Sequence, residues 1–435
     1  MDLLKASPLI AIGIALMAAA PSGDATQDAI DVAVKERSNS FASLAASGRF
    51  AVVAWGASTA DGAADVYVAA SHDAGRAFGV PARVNRVAGE ARLSGEQPPR
   101  VTLVPRSAAD PAIVVVWTAT SAAGTGLVSA RSDDGGKSFA AAIPVPGSDG
   151  SGNRGWESIS TIPDGSVAAL WLDHREASSG GSGTSTHAHT EHQHPASGSE
   201  KTDGVARAQL SKLMFAKVGA AESARSLTGG VCYCCKTAMV TDAAGGIYAA
   251  WRHVYEGNVR DVAFTRSVDQ GRTFAPPVRV SNDNWVLDGC PENGPAMTLD
   301  QANRIHIVWP TLIPGATPAS EPTLALFHAM SSDGRRFSTR QRITTEGVPR
   351  HPQIVSGRRG ELIIAWDEQA RGTRRVAVAR GTIDSGGRAR FVRQSIDDSM
   401  RAEYPVLAAV SDGMLVAWTS GPAGRTTLRV RRLAD

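Results

Sequence analysis

Seven short apolar runs that end in tryptophan constrain this chain more than any other feature. They read AVVAW (Trp55), AIVVVW (Trp117), SVAALW (Trp171), GIYAAW (Trp251), RIHIVW (Trp309), LIIAW (Trp366) and MLVAW (Trp418). The intervals between them are 62, 54, 80, 58, 57 and 52 residues. Self-similarity at such a period marks an array of one small unit, as in solenoids and propellers. Each run is followed by an alternating segment: DVYVAAS, GLVSARS, KLMFAKV, DVAFTRS, ALFHAMS, RVAVARG and TLRVRRL. A further apolar segment, such as FAPPVRV, comes after several of these. A unit therefore supplies about four antiparallel strands, and no helical periodicity separates the units. The expected fold is an all-β propeller of seven four-stranded blades, with six as the alternative. The last unit ends at Asp435 without an outer strand, and Ala29–Val34 (AIDVAV) is placed to supply one and close the ring.

Between the second and outer segments lies a recurring turn. Ser267-Val268-Asp269-Gln270-Gly271-Arg272-Thr273-Phe274 reads S-x-D-x-G-x-x-F. Asp269 can accept amide hydrogen bonds across its own turn, Gly271 supplies a backbone angle that other residues avoid, and Phe274 plugs the turn into the core. Ser71/Asp73/Gly75/Phe78 and Ser132/Asp134/Gly136/Phe139 match in full, Ser331/Asp333/Phe337 is one residue short, and Thr382/Asp384/Gly386 is degenerate. On these motifs the chain resembles the Asp-box (BNR-repeat) proteins of the sialidase superfamily over nearly all of its mature length. The resemblance implies that the boxes are structural, on outer turns away from the working face. Sialidases have six blades, one fewer than the tryptophan units here.

With 435 residues, a net charge of +3 and 20% charged residues, the composition gives no basic surface for nucleic acid. Residues 1–25 read as a signal peptide: Lys5 is the positive region, Leu9–Met17 the apolar core and Ala18-Ala19-Ala20 the small-residue cleavage region. No cysteine follows that core, which argues against a lipoprotein, and no other apolar run is long enough to span a bilayer. The expectation is a periplasmic or secreted protein with one domain over 26–435, in a compartment where disulfides persist. The long 80-residue interval holds a polar, Gly/Ser-rich insertion at about 177–204 that cannot build a core. It carries His187, His189, His192 and His194, and it is expected as a disordered loop between the second and third strands of the third blade.

Aligned on Trp251 and Trp309, CYCCKTAMVTDAAGGIYAAW falls on CPENGPAMTLDQANRIHIVW without a gap. Cys232 and Cys290 each lie 19 residues before their tryptophan. The starts of innermost strands gather on one face of a propeller, so Cys232, Cys234, Cys235 and Cys290 should meet there. Trp156, Glu157, Glu292, Asn293, Arg350, His351, Arg401, Glu403 and Tyr404 should join them from other inner-strand starts. Asp173, His174, Arg175, Arg252, His253 and Tyr255 should join from the loops. Three chemistries fit the cysteines. An even count in an exported protein suits disulfides, with Cys290 bonding into the 232–235 cluster because a vicinal Cys234–Cys235 bond is strained. Cys-x-Cys-Cys with a fourth cysteine and nearby histidines suits copper or zinc. Cys232-Tyr-Cys-Cys235-Lys236 is formally C-x-x-C-K, a variant of the haem attachment motif, which ordinarily ends in histidine. The favoured expectation is a copper or zinc ion held by the four cysteines, with His253, His351 and the loop histidines as further ligands. Short histidine tracts also occur as plain solvated sequence.

The resemblance implies a different chemistry as well. Exo-sialidases use three arginines on the substrate carboxylate, a Tyr–Glu nucleophile pair and an Asp acid. Arg252, Arg350 and Arg401 are the candidates for the clamp, Tyr404 with Glu403 or Glu292 for the nucleophile pair, and Asp173 for the acid. The Phe/Tyr-Arg-Ile-Pro motif of that family is missing, since the first inner strand reads SNSFASLAAS. A third expectation is a module whose face binds an exported protein or a glycan, with the cysteines as disulfide staples.

Overall fold

The computed structural model describes residues 29–178, 203–287, 289, 291–315, 317, 320–384, 388–396 and 400–433. Its strands form seven antiparallel four-stranded sheets arranged as the blades of a propeller. Seven is thus the blade number, and the six-bladed alternative falls. In every blade the Trp run is the second strand: Phe50–Ser58, Ala112–Ser121, Val167–Asp173, Ile247–Arg252, Ile305–Ile313, Leu362–Ala370 and Gly413–Ser420. These strands are buried on both faces, and each of the seven tryptophans is at most 1% exposed. That explains why they read as unbroken apolar runs rather than alternating ones. The core lies between blades. Trp55 packs with Ala69 of its own blade and with Leu415 and Val430 of blade seven.

Ring closure uses the earliest described strand. Ile30–Val32 pairs with Thr427–Leu433 in the register Ile30↔Val430, Asp31↔Arg429 and Val32↔Leu428. Blade seven is completed by this strand together with Ala402–Val410 and Gly413–Ser420.

The S-x-D turns share one hydrogen-bond scheme. In Ser71, Ser132 and Ser267 the hydroxyl donates to the aspartate two residues on at 2.7, 2.8 and 2.7 Å. It also accepts the amides of Gly75, Gly136 and Gly271 at 2.9, 3.0 and 2.8 Å. Gly271 has φ +85°, and a Cβ there would sit 2.5 Å from Phe215. Conformation and space both demand glycine. In the shorter copy the Ser331 hydroxyl takes the amide of Gly334, three residues on rather than four. Of the degenerate copy, Gly386 lies outside the described residues.

Two features positioned near the third blade depart from expectation. Short helices, Arg175–Ser178 and Asp203–Leu210, border the insertion, where sequence suggested only irregular chain. Residues 179–202, with all four loop histidines, and residues 1–28, where a signal peptide was expected, lie outside the described residues.

Four inner strands slip register close to their starts, between Ser40/Ser43, Gly155/Ser158, Arg350/Gln353 and Glu403/Val406. Each slip contains a non-glycine residue with positive φ: Phe41 at 60°, Trp156 at 56°, His351 at 49° and Tyr404 at 54°. Bulges of this kind re-aim side chains, and strained backbone of this kind collects at functional sites.

Candidate functional site

The cysteine segment is pinned at both ends. Cys232 N–H donates to Arg252 O at 2.9 Å, and Thr237 N–H donates to Trp156 O at 3.1 Å. The inner strand begins only at Ala238, where Ala238↔Ala250 matches Ala296↔Val308 in the next blade. This is the gapless equivalence of the two blades seen in the sequence. The cysteines therefore precede the strand in a tight turn. Their Sγ atoms form a triangle: Cys232–Cys235 3.6 Å, Cys232–Cys234 3.9 Å and Cys234–Cys235 3.9 Å. Cys232 and Cys235 are free thiols, and Cys234 is not. All three are buried under Ala208 of the Asp203–Leu210 helix and under Val254. Among the described residues no histidine or carboxylate joins the triangle. Cys290 lies outside the described residues.

Two fully buried arginines border the sulfurs. Arg260 donates from Nη1 to Cys232 Sγ at 3.3 Å and from Nε to Leu287 O at 2.8 Å. Arg252 donates to the carbonyls of Asn293, Arg260 and Pro310 and lies 4.9 Å over the Trp285 ring. Burial alone would raise the Cys232 thiol. The hydrogen bond from Cys235 and the charges of Arg260 and Arg252 outweigh it and draw Cys232 down to about 6. Burial pushes Cys235 well above its ordinary value, and the charge on Cys232 adds to the shift.

Neither candidate histidine ligand brings a ring nitrogen into the sulfur cluster. His253 stacks edge-on against Tyr255 at 4.7 Å, and burial draws it down to about 4. His351 shares a 2.7 Å hydrogen bond between Nδ1 and Asp367 Oδ1 and packs 4.4 Å from the Tyr404 ring. Arg252 makes no clamp, because carbonyls occupy its guanidinium. Asp173, the candidate acid, is buried and bonded to Arg175. Burial would raise its carboxyl, but Arg175 and Arg154 hold it below the usual carboxylate range. Arg401 and Arg374 both donate to Glu403 Oε2 at 3.1 Å, and Arg374 also lies 3.4 Å from Asp367. Glu292 is exposed and Arg350 half-buried. The Tyr404 phenol is raised above its ordinary value by burial and then by the charges of Glu403 and Asp367. Its ring lies over Gly95, where a Cβ would come within 1.7 Å of it.

Sequence reasoning missed Glu96, Arg100 and Arg374 altogether. Glu96 Oε2 accepts the amides of Lys236 at 2.9 Å and Gly294 at 2.7 Å, so it ties both cysteine-bearing blades to blade two. Arg100 Nε donates to Glu157 O at 2.7 Å. Burial pushes the Glu157 carboxyl up to about 7, with Arg100 opposing the shift. Lys236 donates to Pro352 O at 2.9 Å and is drawn down to about 8 by burial.

No protein-family model matches the chain, and a search of curated proteins finds no match. Solved structures do resemble it. The GH93 α-L-arabinofuranosidase of Fusarium graminearum, in complex with arabinobiose, is 11% identical at TM-score 0.51, over 94% of this chain and 98% of that one. The polysaccharide lyase Uly1 is 10% identical at TM-score 0.52, over 96% and 94%. A Trypanosoma rangeli sialidase is 10% identical at TM-score 0.43, over 94% and 57%. At these identities the likeness is one of fold: a seven-bladed β-propeller whose structural neighbours include propeller glycoside hydrolases.

Proposed function

We propose that the protein is an exported propeller that binds a soft transition-metal ion, copper in preference to zinc, at the cysteine cluster. The observation that carries this reading is the sulfur triangle, with edges of 3.6–3.9 Å, held beside two buried arginines. A metal with bonds of about 2.3 Å to tetrahedrally placed sulfurs separates those sulfurs by about 3.8 Å. Soft thiolates favour Cu(I). Three thiolates around one monovalent ion leave two negative charges, which Arg252 and Arg260 balance. Cys290 is the proposed fourth ligand, and the loop histidines load the site at neutral pH. Because Cys234 is not a free thiol here, loading requires its reduction.

Elemental analysis of protein exported into a periplasm and purified without a histidine tag tests this directly. The expected result is one copper per chain, lost in Cys234→Ser and in Cys290→Ser. Metal content unchanged in both variants sinks the reading.

A second reading, hydrolysis of an acidic sugar, draws on one specific arrangement. Tyr404 and His351 stand on adjacent strained bulges beside the Glu403–Arg374–Asp367 chain. A fluorogenic sialoside assay is the test, with turnover expected to fall at least a hundredfold in Tyr404→Phe and Arg350→Ala. Turnover that persists in both variants removes this reading.

A further inference from the structure

We infer that Cys232 and Cys235 form a reversible dithiol–disulfide couple, and that its oxidation closes the metal site. The gating half of this inference rests on the metal reading; the couple itself does not. Three observations select this pair among the three sulfurs. They are the two free thiols of the segment. Their 3.6 Å separation is the shortest edge of the triangle. Their C-x-x-C spacing places the turn residues Tyr233 and Cys234 between them, whereas a bond between the adjacent Cys234 and Cys235 would strain an eight-membered ring. A disulfide needs its sulfurs about 2.05 Å apart, so this pair must close by about 1.5 Å, a movement that side-chain rotation can supply.

The chemistry balances with a low-molecular-weight disulfide as oxidant. The Cys232 sulfur attacks one sulfur of the oxidant, and the first small thiol leaves. Cys235 then gives up its proton and displaces the second small thiol. The protein loses two protons and two electrons, and the oxidant takes them up to become two thiols. The product removes two of the three sulfurs as anionic ligands, so a metal held by the triangle loses most of its coordination. Arg260 sets the poise. Its Nη1 lies 3.3 Å from Cys232 Sγ and favours charge on that sulfur, charge that the disulfide does not carry. It therefore favours the reduced, metal-competent form.

The test uses the full-length, metal-free protein equilibrated in reduced and oxidised glutathione mixtures. Samples are acid-quenched, alkylated and mapped by peptide mass spectrometry. The expected result is a single two-electron transition in which Cys232 and Cys235 lose alkylation together and the peptide gains an internal bond. The state of Cys234 should not change across it. Arg260→Gln should shift the equilibrium toward the disulfide by about tenfold, which is about 30 mV for two electrons, and Arg260→Lys by less. Independent alkylation of the two cysteines at every ratio, or a bond from either to Cys234, overturns the couple. Should the Arg260 variants fail to fold, the wild-type map decides alone.

Cu(I) competition against a chromophoric chelator is then run on fully reduced protein, with Cys234 a thiol, and on the same protein after the Cys232–Cys235 disulfide alone has formed. At least tenfold weaker binding by the disulfide form supports gating, and equal binding by both forms overturns it. A disulfide that forms normally while neither form takes Cu(I) overturns the metal reading and gating together and leaves the couple standing. Copper bound with no disulfide overturns the couple alone.

Discussion

A buried carboxyl group that keeps its proton makes folding stability depend on pH in an unusual direction. Glu157 is fully buried, and burial pushes it up to about 7 from an ordinary value of 4.5. Between those values the native state holds a proton that the unfolded chain releases. Stability contributed by the neutral group is therefore full below about pH 4.5 and is lost as pH rises through about 7, by up to about 3 kcal/mol. Glu157→Gln keeps the shape and removes the titration. The expected outcome is a variant whose stability, relative to wild type, grows as pH rises across that window in urea unfolding. A constant difference across the window would refute it. Two other buried charges at this end of the ring are answered by backbone carbonyls. Arg154 meets the carbonyls of Thr125, Gly150 and Gly152, and Arg252 those of Asn293, Arg260 and Pro310.

At the level of elements, the turns show what local sequence can determine. Every partner of Asp269 lies within four residues: it accepts from the Ser267 hydroxyl and from the amide and hydroxyl of Thr273. Those hydrogen bonds, the Thr273 hydroxyl first among them, hold its carboxyl well below the usual range. Asp269→Ala is expected to lower the urea unfolding midpoint while leaving the secondary structure unchanged. An unchanged midpoint would show that the glycine and the plugging Phe274 suffice. The same locality made these turns, the Trp strands and the gapless match of blades four and five legible in the sequence. The site was less so. Glu96 answers amides 140 and 198 residues away, and nothing near it in sequence announces those partners. Arg260 reaches Cys232 from a loop 28 residues on, and it reads in the sequence as an ordinary surface cation. The triangle of sulfurs was legible because three of the four cysteines fall within four residues. The separation of His253 and His351 from it was not, because each histidine takes a closer partner in its own blade: Tyr255 for the one, Asp367 for the other.

Over the whole molecule, the ring is held shut by a three-residue strand. Ile30–Val32 covers the outer edge of Thr427–Leu433, and Val32 packs with Trp55, Leu428 and Val430. Deleting residues 29–34 should uncover that edge, lower the thermal midpoint by several degrees and promote self-association, as exposed edge strands do. Light scattering during a thermal ramp checks both effects, and an unshifted midpoint without scattering would show that the remaining three strands of blade seven hold the ring alone. This closure also carries a consequence for biogenesis. The strand that locks the ring leaves the ribosome almost four hundred residues before the strand it locks onto. Until Thr427–Leu433 has been made, blade one presents an unsealed flank, and no earlier fragment can form the closed native ring. Ring closure must therefore wait for that strand. A protein built this way depends on whatever guards that open flank during the wait.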